Sequence, residues 1–149
     1  MGAAYFYHLT RQPVEAALPQ LVERALAAGW RVAVRAPEEA LSGLDDALWR
    51  GPDDGFLAHG IAGGPHDADQ PVLLTAGDAS ANGARCLMGV GGTEITADDC
   101  AGMERVCILF DGTDGAALER ARTQWRGLTE AGVEAQYWSQ ESGRWERKR

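Results

Sequence analysis

Histidines, cysteines and adjacent aspartates are the residues in this sequence best suited to chemistry, and their spacing decides whether they can do any. A metal site needs ligands that converge, and on a helix two imidazoles aim at one ion when spaced i, i+4. His8, His59 and His66 are scattered and form no such pair, and Cys86, Cys100 and Cys107 have no C-x-x-C spacing. Three thiols cannot all pair within one chain, so they read as reduced structural cysteines. Asp45-Asp46, Asp53-Asp54 and Asp98-Asp99 fall in a predicted helix or in loops, without a partner base, and no G-x-S-x-G elbow is present. The cluster Gly89-Val90-Gly91-Gly92 invites a phosphate-binding reading. It is followed by Thr93-Glu94 where a phosphate loop needs Lys-Ser/Thr, and Thr10-Arg11-Gln12-Pro13 follows the first strand where a dinucleotide fold needs glycines. No catalytic residue, metal site or cofactor is expected.

The composition narrows the remaining classes. A chain of 149 residues with 45% hydrophobic content can bury a core in one domain, here taken as 1–149, without metals or disulfides. The first residues lack a basic n-region and an apolar h-region, and no apolar run approaches the roughly 20 residues of a membrane helix. A cytoplasmic protein with no membrane association is expected. The net charge of −8 argues against a surface that neutralises DNA phosphates, so contact with DNA is expected only through other proteins.

The elements that must position any site follow from periodicity. Ala3 to Leu9 reads as a strand. Thr10 as N-cap and Pro13 in the first turn predict a helix through Val14, Leu18, Leu21, Val22 and Leu26 that stops at Gly29. Trp30 to Val34 reads as a second strand, and a helix is predicted from Pro37 to Trp49. Arg50 to Gln70 reads as a long connection with Phe56, Leu57 and Ile61 as its large apolar residues. Pro71 to Thr75 and Arg85 to Val90 read as short strands with a turn at Asn82-Gly83. Met103 to Phe110 is the strongest late strand, ended by Asp111-Gly112 ahead of a helix from about Thr113 to Ala131 that Gly132 closes. Val133 to Tyr137 adds a final strand, and Gly143 to Arg149 reads as a solvated basic end. Alternating strands and helices predict a three-layer α/β/α sandwich around a mostly parallel, Rossmann-like sheet of about five strands.

Several of these segments, in order, resemble the chi subunit family of bacterial DNA polymerase III. They are F-Y-H-L-T at Phe6–Thr10, G-W-R-V-A-V at Gly29–Val34, L-D-D-A-L-W at Leu44–Trp49, F-L-A-H-G at Phe56–Gly60, Q-P-V-L-L-T at Gln70–Thr75, R-V-C-I-L-F-D-G at Arg105–Gly112 and A-R-T-Q-W-R at Ala121–Arg126. The Tyr137-Trp138 pair and the Trp145 to Lys148 stretch continue the set. The resemblance implies a non-catalytic replication adaptor that links the clamp loader, through its psi subunit, to single-stranded DNA-binding protein. It implies that the acidic, phenylalanine-ending tail of the latter docks on a surface containing Trp49, Arg122, Trp125 and Arg126. It also implies that Phe56, Leu57 and His59 face psi, with Ala58 standing where the family has proline.

The spacing of the helical group is compatible with that role. Arg122, Trp125 and Arg126 are related by i, i+3 and i, i+4 steps and share one helical face. A guanidinium can grip a carboxylate bidentately while an indole lines a slot for a phenyl ring. Periodicity alone equally allows Trp125 to pack inward with Ala117, Ala121 and Leu128, and Trp49 to cap the core behind Leu41, Leu44 and Leu48. Phe56 and Leu57 likewise read either as a satellite core or as a partner site. The competing class is a small nucleotide-binding or hydrolytic α/β enzyme using the crevice near Leu9-Thr10 and Asp111-Gly112.

Overall fold

A computed structural model describes residues 2–50, 58–142 and 144–149. Its elements are β1 (Ala3–Leu9), α1 (Val14–Ala27), β2 (Val32–Arg35), α2 (Leu41–Arg50), β3 (His59–Ile61), β4 (Val72–Thr75), β5 (Cys86–Gly89), α3 (Ala97–Ala101), β6 (Arg105–Asp111), α4 (Gly115–Glu130), β7 (Ala135–Ser139) and β8 (Glu146–Arg147). The strands form one sheet in the order β3-β4-β2-β5-β6-β1-β7-β8. Every neighbouring pair is parallel except β7 with β8.

Helices cover both faces, which explains why the inner strands read as continuous apolar runs without alternation. Val32, Val34, Val72, Leu74, Cys86, Met88, Cys107 and Leu109 pack with α1 and α2 on one face. Phe6, Ala33, Leu87, Val106, Ile108 and Phe110 pack with α3 and α4 on the other. The segregation follows from the handedness of the crossovers. Connections through α1 and α2 step toward the β3 edge and those through α3 and α4 step toward the β8 edge. A right-handed crossover run in the opposite direction must lie on the opposite face. The expected three-layer, mostly parallel α/β architecture is the observed one, with eight strands among the described residues where about five were expected.

The departures have local causes. Pro13, not Thr10, is the N-cap of α1, and it makes no side-chain cap. Residues 38–40 form a 3-10 turn ahead of α2, so the α-helix starts at Leu41 and not at Pro37. β2 begins at Val32, two residues after Trp30, because Gly29 turns the chain at φ 88°. Within the connection read as irregular, His59–Ile61 pairs with β4 as an edge strand. The short helix α3 was not anticipated, although Thr96 and Asp99 carry its signature: they form a reciprocal capping box. Asn82 is buried, not simply a turn residue, and its Nδ2 donates to the carbonyls of Val32 (3.1 Å) and Gln70 (2.9 Å).

The end of the chain gives the largest correction. The segment expected to be solvated does expose Arg144, Arg147, Lys148 and Arg149, but it also adds β8, with Trp138 opposite Arg147 and Ser139 opposite Glu146. Trp145 packs edge-on against Tyr7, with ring centroids 5.2 Å apart at 81°. An aromatic that joins the core from beside a strand explains why a basic stretch with no periodicity is ordered here.

Candidate docking surfaces

The helix α4 buries Ala117, Ala121 and Leu128 and leaves Arg122 and Arg126 in solvent. Trp125 sits on the border of the buried stripe and is half-buried. One edge of its indole meets Phe6 at 5.2 Å and 65°, and it also meets Tyr137 at 6.0 Å and 73°. The two sequence readings of Trp125 therefore both apply: part of the ring joins the core and part remains to line a cavity. That cavity, about 410 Å³, is bounded by Arg122, Trp125, Arg126, Tyr137, Lys148 and Arg149. Four cations and two aromatic rings line it, with no Asp or Glu among them.

Two of those cations come from the chain end. The backbone N–H of Lys148 donates to the Tyr137 carbonyl at 2.6 Å, and the Tyr137 N–H donates to the Arg149 carbonyl at 3.2 Å. The Arg149 guanidinium lies 5.5 Å from the centre of the Trp125 ring, within cation–π range. On the helical side Arg122 contacts Glu119 at 2.8 Å, an exposed i, i+3 pair of small energetic weight. Sequence reasoning found Arg122, Trp125 and Arg126 but missed Tyr137, Lys148 and Arg149 as their partners. The signal was an aromatic, Trp145, set among cations in G-R-W-E-R-K-R.

Behind the notch stands a rigid aromatic stack. His8 is buried, stacks on Phe110 at 5.3 Å and 13°, and places Nδ1 3.1 Å from the Tyr137 hydroxyl. Gly112 makes this possible, because a Cβ there would lie 1.7 Å from His8 Cδ2. Burial raises the Tyr137 phenol above its usual range while nearby Arg122 opposes the shift, so the ring faces the notch as a neutral phenol at neutral pH.

Trp49 is not part of this notch, contrary to expectation. It ends α2, is 59% exposed, and has its ring centroid 4.9 Å from that of His59 at 60°. The His59 side chain is fully buried, and its Nε2 lies 3.0 Å from Asp45 Oδ1, one helical turn before Trp49. Ile61, 40% exposed, follows on the same edge strand. Phe56 and Leu57 lie outside the described residues. Between β3 and β7 lie β4, β2, β5, β6 and β1. Six strand spacings amount to roughly 29 Å, so one short peptide end cannot touch Trp49 and Trp125 together. The structure groups Trp49 with His59, and Trp125 with Arg122 and Arg126.

The crevice at the carboxyl ends of the strands gives the nucleotide reading no support. The cavity there is about 180 Å³ and is lined by Asp111 and Asp114, whose charge disfavours a phosphate; it adjoins a cavity of about 720 Å³ through Gly92, Thr93, Arg120 and Gln124. Gly91 and Gly92 have φ of 69° and 80°, and side chains already fill their surroundings: a Cβ would meet Pro37 Cδ at 2.8 Å and Arg120 Nε at 2.7 Å respectively. Asp114 occupies the N-terminus of α4, accepting from the Ala116 N–H. The three cysteines are buried. Burial, then the charge of Asp99, pushes the Cys100 thiol up to about 11. A hydrogen bond with Cys86, then burial, holds Cys107 well above the usual thiol range. Both stay protonated and unreactive at neutral pH, as the structural reading expects. Among the described residues no cluster of three His, Cys, Asp or Glu could hold a metal, and no helix is long and apolar enough to cross a membrane.

The family model described as DNA polymerase III chi subunit, HolC, matches residues 1–136 of the 149. The chain belongs to the DNA polymerase III chi subunit family. Membership makes it an accessory replication subunit of the DNA polymerase III complex. No curated protein matches the chain. The family match ends before Tyr137 and the 144–149 segment, so three of the six residues lining the notch lie outside it.

Proposed function

We propose that the chain is a non-catalytic adaptor, acting in the cytoplasm, that tethers the clamp loader to single-stranded DNA coated by its binding protein. The notch takes the acidic, phenylalanine-ending tail of single-stranded DNA-binding protein, through Arg122, Trp125 and Arg126. The psi subunit takes the opposite edge, through His59, Trp49, Phe56 and Leu57. The observation that carries the reading is a lining of four cations and two aromatics with no Asp or Glu among the lining residues, on a chain whose net charge is −8. Local concentration of positive charge overrides the unfavourable average for an anionic ligand. A guanidinium supplies the carboxylate grip and the indole face the apolar contact.

Two surfaces roughly 29 Å apart can be occupied at once, and the gain is one of effective concentration rather than bond-making. DNA itself is reached only through the coating protein.

Isothermal titration with a peptide of four aspartates ending in phenylalanine tests the reading. Binding with a Kd on the order of micromolar is expected, weakening with salt and falling about tenfold in Arg122→Ala. Absence of heat at low salt would sink it.

A further inference from the structure

The notch has two cationic walls, and the second is built by a segment whose own pairing is too short to hold it. β8 has two residues, and a two-residue ladder at a sheet edge has little stability of its own. We propose that residues 144–149 form a second carboxylate subsite of the notch, latched from the opposite face of the sheet by Trp145. This rests on the docking reading above and adds to it the ligand's second anionic contact.

The geometry is a clip around the β7 edge. Trp145 packs with Tyr7 in the core on the α1–α2 face of the sheet. Trp125 and Tyr137 pack in the core on the α3–α4 face. The segment therefore touches both faces within five residues, with Trp145 anchored on one and Lys148 and Arg149 lining the cavity on the other. The backbone bonds of Lys148 and Arg149 to Tyr137 fix the height at which their side chains enter.

Each wall carries a replaceable internal carboxylate. Glu119 lies 2.8 Å from Arg122, and Glu146 lies 3.4 Å from Lys148 Nζ. Arg122, Glu119 and Lys148 are exposed and Glu146 is partly exposed, so an incoming carboxylate displaces either pair at little cost. A ligand that uses both walls lays an aromatic last residue against the exposed edges of the touching Trp125 and Tyr137 rings, its terminal carboxylate on one wall and a neighbouring acidic side chain on the other. An extended peptide meets that requirement, and a single inorganic anion does not.

The test measures binding of the same aspartate-phenylalanine peptide to the full chain and its variants, with thermal melting in parallel. The double variant Lys148→Ala/Arg149→Ala is expected to bind about tenfold more weakly, with a shallower salt dependence. Trp145→Ala removes no charge, yet is expected to weaken binding by a similar factor. Trp145→Phe, which restores an edge-on contact with Tyr7, is expected to stay within about threefold of the parent. Parent-like binding by the double variant, alongside weakened binding by Arg122→Ala, overturns the second wall and leaves the docking reading standing. If Trp145→Ala does not fold, the double variant, whose side chains lie outside the core, still decides. A parent chain that does not bind the peptide overturns both.

Discussion

The two edges of the sheet present opposite chemistries on one scaffold. At the β8 edge, four cations surround aromatic rings that are half-buried and held by other rings. At the β3 edge, Trp49, whose ring meets that of His59, and Ile61 are 59% and 40% exposed, and the polar groups near them, His59 and Asp45, are already engaged with each other. The first surface has charge to offer and little new apolar area. The second has apolar area to bury and little uncommitted charge among its described residues. A partner at the notch would be held by electrostatics that salt weakens, and a partner at the β3 edge by desolvation that salt leaves largely intact. Under the proposed function, the difference is what would keep two partners of a small domain apart.

The sharpest way to break that comparison is from behind the notch. Gly112→Ala places a methyl group where the His8 ring lies, and neither the ring, stacked on Phe110, nor the β6 end can yield without losing packing. Overpacking of this kind costs about 3 kcal/mol, a fall in Tm of roughly 6–12 °C for a chain of this size. Because His8 positions Tyr137, peptide binding at the notch should fall while partner binding at the β3 edge, measured on the folded protein, stays at the parent value. Equal loss at both edges would mean that they are not independent.

Next in size is Trp49→Ala. An exposed indole that becomes buried in an interface is worth about 2 kcal/mol or more, so psi-subunit binding should weaken by roughly 30-fold. Titration of the notch peptide should be unchanged, since Trp49 lies across five strands. A loss of peptide binding in this variant would restore the single surface that the linear sequence suggested.

Salt separates the two edges without mutation. Raising ionic strength from about 0.05 to 0.3 M should weaken the notch peptide roughly fivefold to tenfold, and psi binding by less than about twofold. Surface plasmon resonance at several salt concentrations would read both, and parallel salt slopes would contradict the assignment of charge to one edge only.

What the sequence disclosed and what it hid follow from the range of each signal. Met103 to Phe110 could be read as a strand because burial on both faces leaves a local apolar run, Tyr5-Phe6-Tyr7 because aromatics favour a pleated strand, and α4 because Ala117, Ala121 and Leu128 recur at helical spacing. His59-Gly60-Ile61 is too short for any period to register, and Glu146-Arg147 shorter still. The grouping of Trp49 with Trp125 came from the family resemblance and not from any local signal. Both tryptophans follow an apolar helical stripe, and only the sheet order, set by which way each crossover steps, puts them on opposite edges. Arg122 and Arg126 were legible because they share a helix with Trp125. Lys148 and Arg149 meet the same ring only through long-range pairing with β7.

The smallest expected effect belongs to a carboxylate far from either edge, and it serves as the control for both. Burial would raise the Asp99 pKa, but two hydrogen bonds from Arg35, at 2.8 and 3.1 Å, together with the Thr96 N–H, outweigh it and hold the group below the ordinary carboxylate range. A folded-state pKa below the unfolded one contributes stability that is present above the unfolded value near 4 and is lost as pH falls through the folded value. The Arg35 side chain also donates to the carbonyls of Gly77 and Glu94, so Asp99 neutralises a guanidinium that ties three segments together. Asp99→Asn should therefore lower stability at pH 7 by about 1 kcal/mol, through the lost charge and a weakened α3 cap, and should flatten the loss of stability below about pH 4. Denaturant melts from pH 3 to 7 would show both effects. Peptide binding and psi binding should be unaltered in the variant, because stability drawn from the middle of the sheet reaches both edges equally and favours neither.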